Sequence, residues 1–198
     1  MADFLKVDGG ILAGGLSRRM GGIDKGLHPF LNQPMVSWIY QTLKPFVNKV
    51  IINCNRNAEV YRQFSSNIVA DTLPNFPGPL AGIVSLMTVS DADYLLISPC
   101  DTPSLGSDFP KRMLNELASY LEKNPDIPYL LAVKTSEHHH PLHLCISIKF
   151  KQSLLDYLNQ GNHRVMNWME QNKVIWIDFS DQNDSFKNIN SINEVSTN

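Results

Sequence analysis

The stretch ILAGGLSRRMGGIDKG, Ile11 to Gly26, holds five glycines together with Arg18, Arg19, Asp24 and Lys25. Glycines at that density let the backbone turn tightly and expose N–H groups that can cradle an anion. Arg19 offers a bidentate grip on phosphoryl oxygens, and Lys25 offers a movable point charge. The spacing departs from two familiar phosphate loops. No G-x-G-x-x-G lies between Leu12 and Gly26, and GGIDKG lacks the G-x-x-x-x-G-K-[ST] pattern, with neither Ser nor Thr after Lys25. A solvated basic loop is the plain alternative, but ordering so many glycines carries a large backbone entropy cost.

Asp101 in SPCDTP has the complementary chemistry. A carboxylate at the end of a buried strand can hold Mg²⁺, a hard cation that bridges oxygen ligands to phosphates. Pro99 and Pro103 stiffen the turn around it, and an Asx-turn is the competing account of the same residue. Basic groups, a glycine turn and a metal carboxylate together point to a nucleoside triphosphate and to phosphoryl or nucleotidyl transfer. Catalysis would then rest on positioning and charge stabilisation. The residues alone do not select the base.

Such groups can act together only if the fold brings them to one place. Lys6 to Leu12, Val50 to Asn53, Ile68 to Asp71, Tyr94 to Ser98 and Tyr129 to Val133 read as strands. Helical patterns lie between them, beginning at Pro34, Asn57, Leu80 and Phe109. The alternation predicts an α/β, three-layer fold with a mostly parallel sheet and helices on both faces. Gly14, Asn53, Asp71 and Asp101 would all follow the C-terminal ends of strands, the edge where open parallel sheets bind ligands. Beyond residue 135, Leu142 to Ile148 and Val174 to Phe179 are predicted strands. Lys149 to Leu158 and Val165 to Met169 are predicted helices, in which Trp168 is expected to serve packing. Met113 and Leu117 are expected in the core.

With 198 residues and 43% hydrophobic content, the chain can bury a sizeable core and is expected to form one domain over residues 1–198. Its formal net charge of −2 gives no basic field for nucleic acid. No apolar run approaches a membrane span, and no signal peptide is evident. Cys54, Cys100 and Cys145 are odd in number and widely spaced, which suggests free buried thiols and a cytoplasmic protein.

At this level of detail the chain resembles the molybdenum cofactor guanylyltransferases, within the Rossmann-like nucleotidyltransferases. The opening loop matches at superfamily level. NCNRN at 53–57, VADTLPNFPGPLAG at 69–82, PCDTP at 99–103, GNHRVMNWM at 161–169 and FKNINSINE at 186–194 follow that family's order over nearly the whole length. The resemblance implies transfer of GMP from GTP to the phosphate of molybdenum-bound molybdopterin, with Mg²⁺ as cofactor and pyrophosphate as by-product. It implies GTP contacts at Leu12, Ala13, Gly14, Gly15, Lys25, Asn53, Asp71 and Asp101, the last through the metal. Lys25 and Arg19 would offset phosphate charge during transfer. The acceptor side would comprise Gly78, Pro79, Leu80, Gly82, Arg164, Asn188 and Asn190. A monomer is expected, with transient contacts to other enzymes of the same pathway.

Related enzymes that transfer CMP commonly read LAAG where this chain has LAGG at 12–15. The missing Cβ at Gly14 is therefore expected to leave room for a purine. A cytosine cofactor or a sugar nucleotide is the neighbouring alternative, and a non-catalytic nucleotide binder is a more distant one. The segment TSEHHHPLHLCIS departs from the family's look, with His138, His139, His140 and His143 in one short span. A solvated or substrate-facing turn, His140 near the pterin, or a transition-metal site are the readings open to it. Successive strand residues alternate sides, so all of them cannot face one metal.

Overall fold

The C-terminal ends of four neighbouring parallel strands lie level with one another: Leu12 is in register with both Asn53 and Pro99, and Asn53 with Val69. That register belongs to a seven-stranded mixed sheet in the computed structural model, which describes residues 5–15, 24–73 and 78–189. In chain order its strands are β1 (Val7–Leu12), β4 (Val50–Asn53), β5 (Asn67–Val69), β6 (Tyr94–Pro99), β7 (Leu130–Lys134), β8 (His139–Ser147) and β9 (Ile175–Asp178). A small separate hairpin pairs β2 (Pro29–Phe30) with β3 (Gln33–Pro34). The sheet order is β5-β4-β1-β6-β8-β7-β9. Only β8 runs antiparallel to its neighbours, pairing with β6 and β7.

Every residue of β1, β4 and β6 is buried, as expected for strands covered on both faces. Side chains alternate across the sheet, so each strand feeds two cores. Val50, Ile52 and Leu96 face one core with α1 (Met35–Leu43) and α4 (Asp108–Lys123). Ile51, Leu95 and Ile97 face the other with α3 (Pro79–Val89), α5 (Lys151–Asn159) and α6 (Val165–Gln171). The result is the expected α/β/α sandwich. Met113 and Leu117 are fully buried, and Trp168 packs edge-on against Phe150.

Local signals explain most element ends. Gly78 has φ of 136°, a left-handed value that favours glycine, and Pro79 then opens α3 with its preset φ. α2 (Ala58–Tyr61) is shorter than the expected helix, because Asn57 before it sits in the left-handed region and the chain turns again after Tyr61. β8 begins three residues earlier than expected and includes His139 to Pro141. Pairing with β7 extends it through the polar histidines, with an irregularity between Ala132 and Val133. Among the described residues, no helix is long and apolar enough to cross a membrane.

Candidate active site

The level strand ends open into a cleft of about 1050 Å³. The central β1 leads into Leu12, Ala13, Gly14 and Gly15 on its floor. Residues from β4 and β5 stand on one side of this loop, and those after β6 stand on the other.

On the β4–β5 side, Asp71 is held by two asparagines. Asn53 Nδ2 donates to Asp71 Oδ1 at 2.9 Å, and Asn55 Nδ2 donates to Asp71 Oδ2 at 2.7 Å. The Asp71 backbone N–H returns a bond to Asn55 Oδ1 at 2.8 Å, while Asn55 Nδ2 also reaches the Gly14 carbonyl at 3.0 Å. Asn53 is 2% exposed and therefore has little freedom to reorient. Two glycines make its position possible. A Cβ at Gly14 would lie 2.8 Å from Asn53 Oδ1, and one at Gly82 would lie 2.6 Å from the same atom. The space expected to admit a purine at Gly14 is thus filled by the Asn53 and Asn55 amides. These same amides set the direction of the Asp71 carboxylate.

On the β6 side, Lys25 Nζ donates to Asp101 Oδ2 at 3.2 Å. Both side chains remain partly exposed to the cleft, 22% for Lys25 and 17% for Asp101. The turn bearing Asp101 is tied down by two backbone bonds, Cys100 N–H to Leu12 O at 3.1 Å and Ile189 N–H to Asp101 O at 2.8 Å. Lys25 has its own anchor in the preceding residue. Asp24 accepts from the buried Tyr61 hydroxyl at 2.6 Å and from Asn57 Nδ2 at 2.9 Å, with Arg56 Nε 3.6 Å away. Burial, then nearby negative charge and the Asp24 bond, push the Tyr61 hydroxyl far up, so it stays a donor.

The remaining wall comes from β8 and the C-terminal segment. His139, His140, Pro141, Leu142, His143 and Asn188 line it. His140 is half-buried, with its ring 5.2 Å from that of Phe186, and burial lowers its basicity. His143 is buried and neutral, its basicity pushed down to about 3 by burial and then by His140. His139 instead packs on Trp176 at 4.2 Å between ring centroids. The histidines therefore do not share one focus. Among the described residues, no group of three or more His, Cys, Asp and Glu side chains is placed to hold a metal.

Cys54, Cys100 and Cys145 are free and buried, and burial raises each thiol, to about 11 for Cys54 and about 12 for Cys145. Cys100 lines the cleft, yet its raised basicity makes it a poor nucleophile.

Of the expected site residues, Leu12, Ala13, Gly14, Gly15, Lys25, Asn53, Asp71, Gly78, Pro79, Asp101 and Asn188 line this cleft. Leu80 does not. At 1% exposure it packs into the α3 core and offers no surface to an acceptor. Gly82 sits behind Asn53, and Arg164 is an exposed residue outside the lining, at the start of α6. Arg19 and Asn190 lie outside the described residues. Sequence reasoning assigned no separate role to Asn55, Asp24 or Tyr61. Asn55 had a usable signal, since its i, i+2 spacing from Asn53 lets both amides point to the same side.

A family profile described as MobA-like NTP transferase domain matches residues 9–174. A molybdenum cofactor guanylyltransferase from Mannheimia succiniciproducens is 36% identical over 187 residues, covering 94% of this chain and 95% of the relative. One from Pasteurella multocida is 37% identical, with 94% and 96% covered. The chain belongs to the molybdenum cofactor guanylyltransferase family. Solved structures share the fold at low identity. Molybdopterin-guanine dinucleotide biosynthesis protein A from Archaeoglobus fulgidus superposes with a TM-score of 0.74 at 18% identity, over 95% of this chain and 94% of that one. A nucleotidyl transferase from Methanothermobacter thermautotroptrophicus gives 0.69 at 16% identity, with 96% and 94% covered. Membership makes the chain a nucleotidyltransferase by kinship, and the cleft holds the charged and amide groups that such chemistry uses.

Proposed function

We propose that this protein transfers GMP from GTP to the terminal phosphate of molybdenum-bound molybdopterin, giving the guanine dinucleotide cofactor and pyrophosphate. The observation that carries the reading is the order of groups along the sheet edge. The Asp71 cluster, the glycine turn, the Lys25–Asp101 pair and the β8 wall follow one another in a single cleft. That order suits a nucleoside at Asp71, phosphates over Gly14 and Gly15, and an acceptor along β8 and Asn188.

Asp71 retains acceptor capacity beyond its two amide bonds, which suits the N1–H and N2–H₂ donors of guanine. Its direction is preset by Asn53 and Asn55, so binding need not order it. An acceptor phosphate oxygen attacks the α-phosphorus; that P–O bond forms as the bond to the β-phosphate oxygen breaks. Lys25 meets the charge gathering on the departing pyrophosphate, and Arg19 is assigned the same task. The attacking phosphate is already ionised, so no general base is required. Asp101, the carboxylate on the β6 side of the cleft, would hold a Mg²⁺ ion, a hard cation that favours oxygen ligands. When bound there, Mg²⁺ supplies additional positive charge for the triphosphate. A cytoplasmic monomer is part of the same reading.

The test is a purified assay with molybdenum-loaded molybdopterin, Mg²⁺ and each nucleoside triphosphate in turn, following pyrophosphate and the dinucleotide product. GTP is expected to be used in clear preference to CTP. Equal turnover of the two would overturn the base assignment, and better transfer to a sugar 1-phosphate would overturn the acceptor.

A further inference from the structure

Immediately after Asp101, Thr102 is fully buried, and its hydroxyl lies 3.0 Å from His143 Nε2, 41 residues away on β8. The other partner of that hydroxyl is the Pro99 carbonyl, at a longer 3.4 Å. His143 is itself 3% exposed. Its ring meets Phe109 edge-on at 5.8 Å and Phe186 edge-on at 5.1 Å, with His140 at 5.9 Å. A ring caged in this way has one orientation, and that orientation aims Nε2 at the Asp101 turn. Phe186 belongs to the segment that ends in Asn188 and the Ile189 N–H bonded to Asp101.

We propose that His143 is a positioning residue that fixes the Asp101 carboxylate through the Thr102 hydroxyl. The proposal rests on the reading of Asp101 as the Mg²⁺ ligand and deepens it. The carboxylate stands on the short turn that follows β6, Cys100 to Thr102, outside any regular element. Its backbone bonds restrain translation, whereas the Thr102–His143 bond restrains rotation of the turn's buried side. Groups one step removed from a metal ligand commonly set its affinity in this way. The nucleoside half of the cleft should be unaffected. Asn53, Asn55 and Asp71 lie across the glycine turn and share no hydrogen bond with Thr102 or His143.

The experiment compares His143→Phe, His143→Gln and Thr102→Val. Phe keeps the ring packing and removes the hydrogen bond, while Gln restores a polar tip near the Nε2 position. Mn²⁺ affinity of the protein–GTP complex is measured by electron paramagnetic resonance, beside the half-saturating Mg²⁺ concentration and kcat. His143→Phe and Thr102→Val should each weaken Mn²⁺ binding and raise the Mg²⁺ requirement about tenfold. The double variant should add little further, because both remove one interaction. GTP affinity without metal should be unchanged, and His143→Gln should recover most of the loss. A folded His143→Phe protein with wild-type Mn²⁺ affinity and Mg²⁺ requirement would overturn the proposal. Should His143→Phe fail to fold, Thr102→Val decides by the same measure. Wild-type protein that transfers GMP but binds no Mn²⁺ in an Asp101-dependent way would overturn the metal reading and this proposal with it. Wild-type protein that transfers no GMP would instead overturn the assigned function.

Discussion

Lys25 and Asp101 stand 76 residues apart in the chain, yet the ammonium and the carboxylate meet at 3.2 Å across the mouth of the cleft. In the proposed reaction the pair would part, phosphate being drawn to Lys25 and Mg²⁺ to Asp101. Asp101→Ala should therefore abolish Mg²⁺-dependent turnover, a loss of at least about a hundredfold in kcat. The fold should remain, since the carboxylate is partly exposed and the turn is held by backbone bonds. Pyrophosphate release and a thermal melt on the same sample check both halves of the expectation.

Gly14→Ala tests whether the loop glycine serves Asn53. The added Cβ would press on Asn53 Oδ1 at 2.8 Å, and the buried amide can yield only by releasing Asp71. Loss of one or two charge-assisted bonds predicts a fall of about ten- to a hundredfold in kcat/KM for GTP. CTP use should not rise in compensation. A gain in CTP turnover would support direct contact between Gly14 and the base instead.

Tyr61→Phe removes the buried hydroxyl that donates to Asp24, next to Lys25. A lost hydrogen bond to a charged group predicts about 1.5–3 kcal/mol of destabilisation. Denaturant unfolding should report that loss, and KM for GTP should rise as Lys25 loses its anchor. Unchanged kinetics at reduced stability would limit the Asp24–Tyr61 pair to a structural role.

Stability should also depend on pH through His143. Its folded value lies near 3, below the ordinary 6.5, so the unfolded chain binds the extra proton first as pH falls. The stabilising contribution is complete above about pH 6.5 and is lost progressively between 6.5 and 3, at up to about 1.4 kcal/mol per pH unit. Urea midpoints measured from pH 7 to pH 4.5 should fall for the wild type. His143→Gln should show a shallower fall, the difference isolating this residue from other acid-sensitive groups such as His140.

The strands and helices were largely legible because their signals are local. Val50 to Asn53 was readable to the residue, since a short apolar run ending in Asn has few other uses. The convergence of Gly14, Asn53 and Asp101 followed from one topological rule, that parallel strands end on a common edge. The extent of β8 was not legible. Histidines carry weak strand preference, and only pairing with β7 draws His139 and His140 into the ladder. Leu80 is expected on the acceptor side with its neighbours, although helical geometry turns it into the core between α3 and the sheet.

What the sequence by itself determined is the class of chemistry and the edge where it occurs. Glycine density, a lysine, a strand-end carboxylate and element alternation are properties of residue type and near-neighbour spacing. Tertiary structure decided which of those groups face one another. Asn55 on Asp71, Tyr61 on Asp24 and Thr102 beside His143 span 16, 37 and 41 residues. Local spacing can show which way a side chain such as Asn55 points, but not its partner, because a hydrogen bond depends on distances that only sheet register and helix packing set. The cleft is therefore written in the sequence as an inventory of groups, and becomes a site through the level ends of β1, β4, β5 and β6.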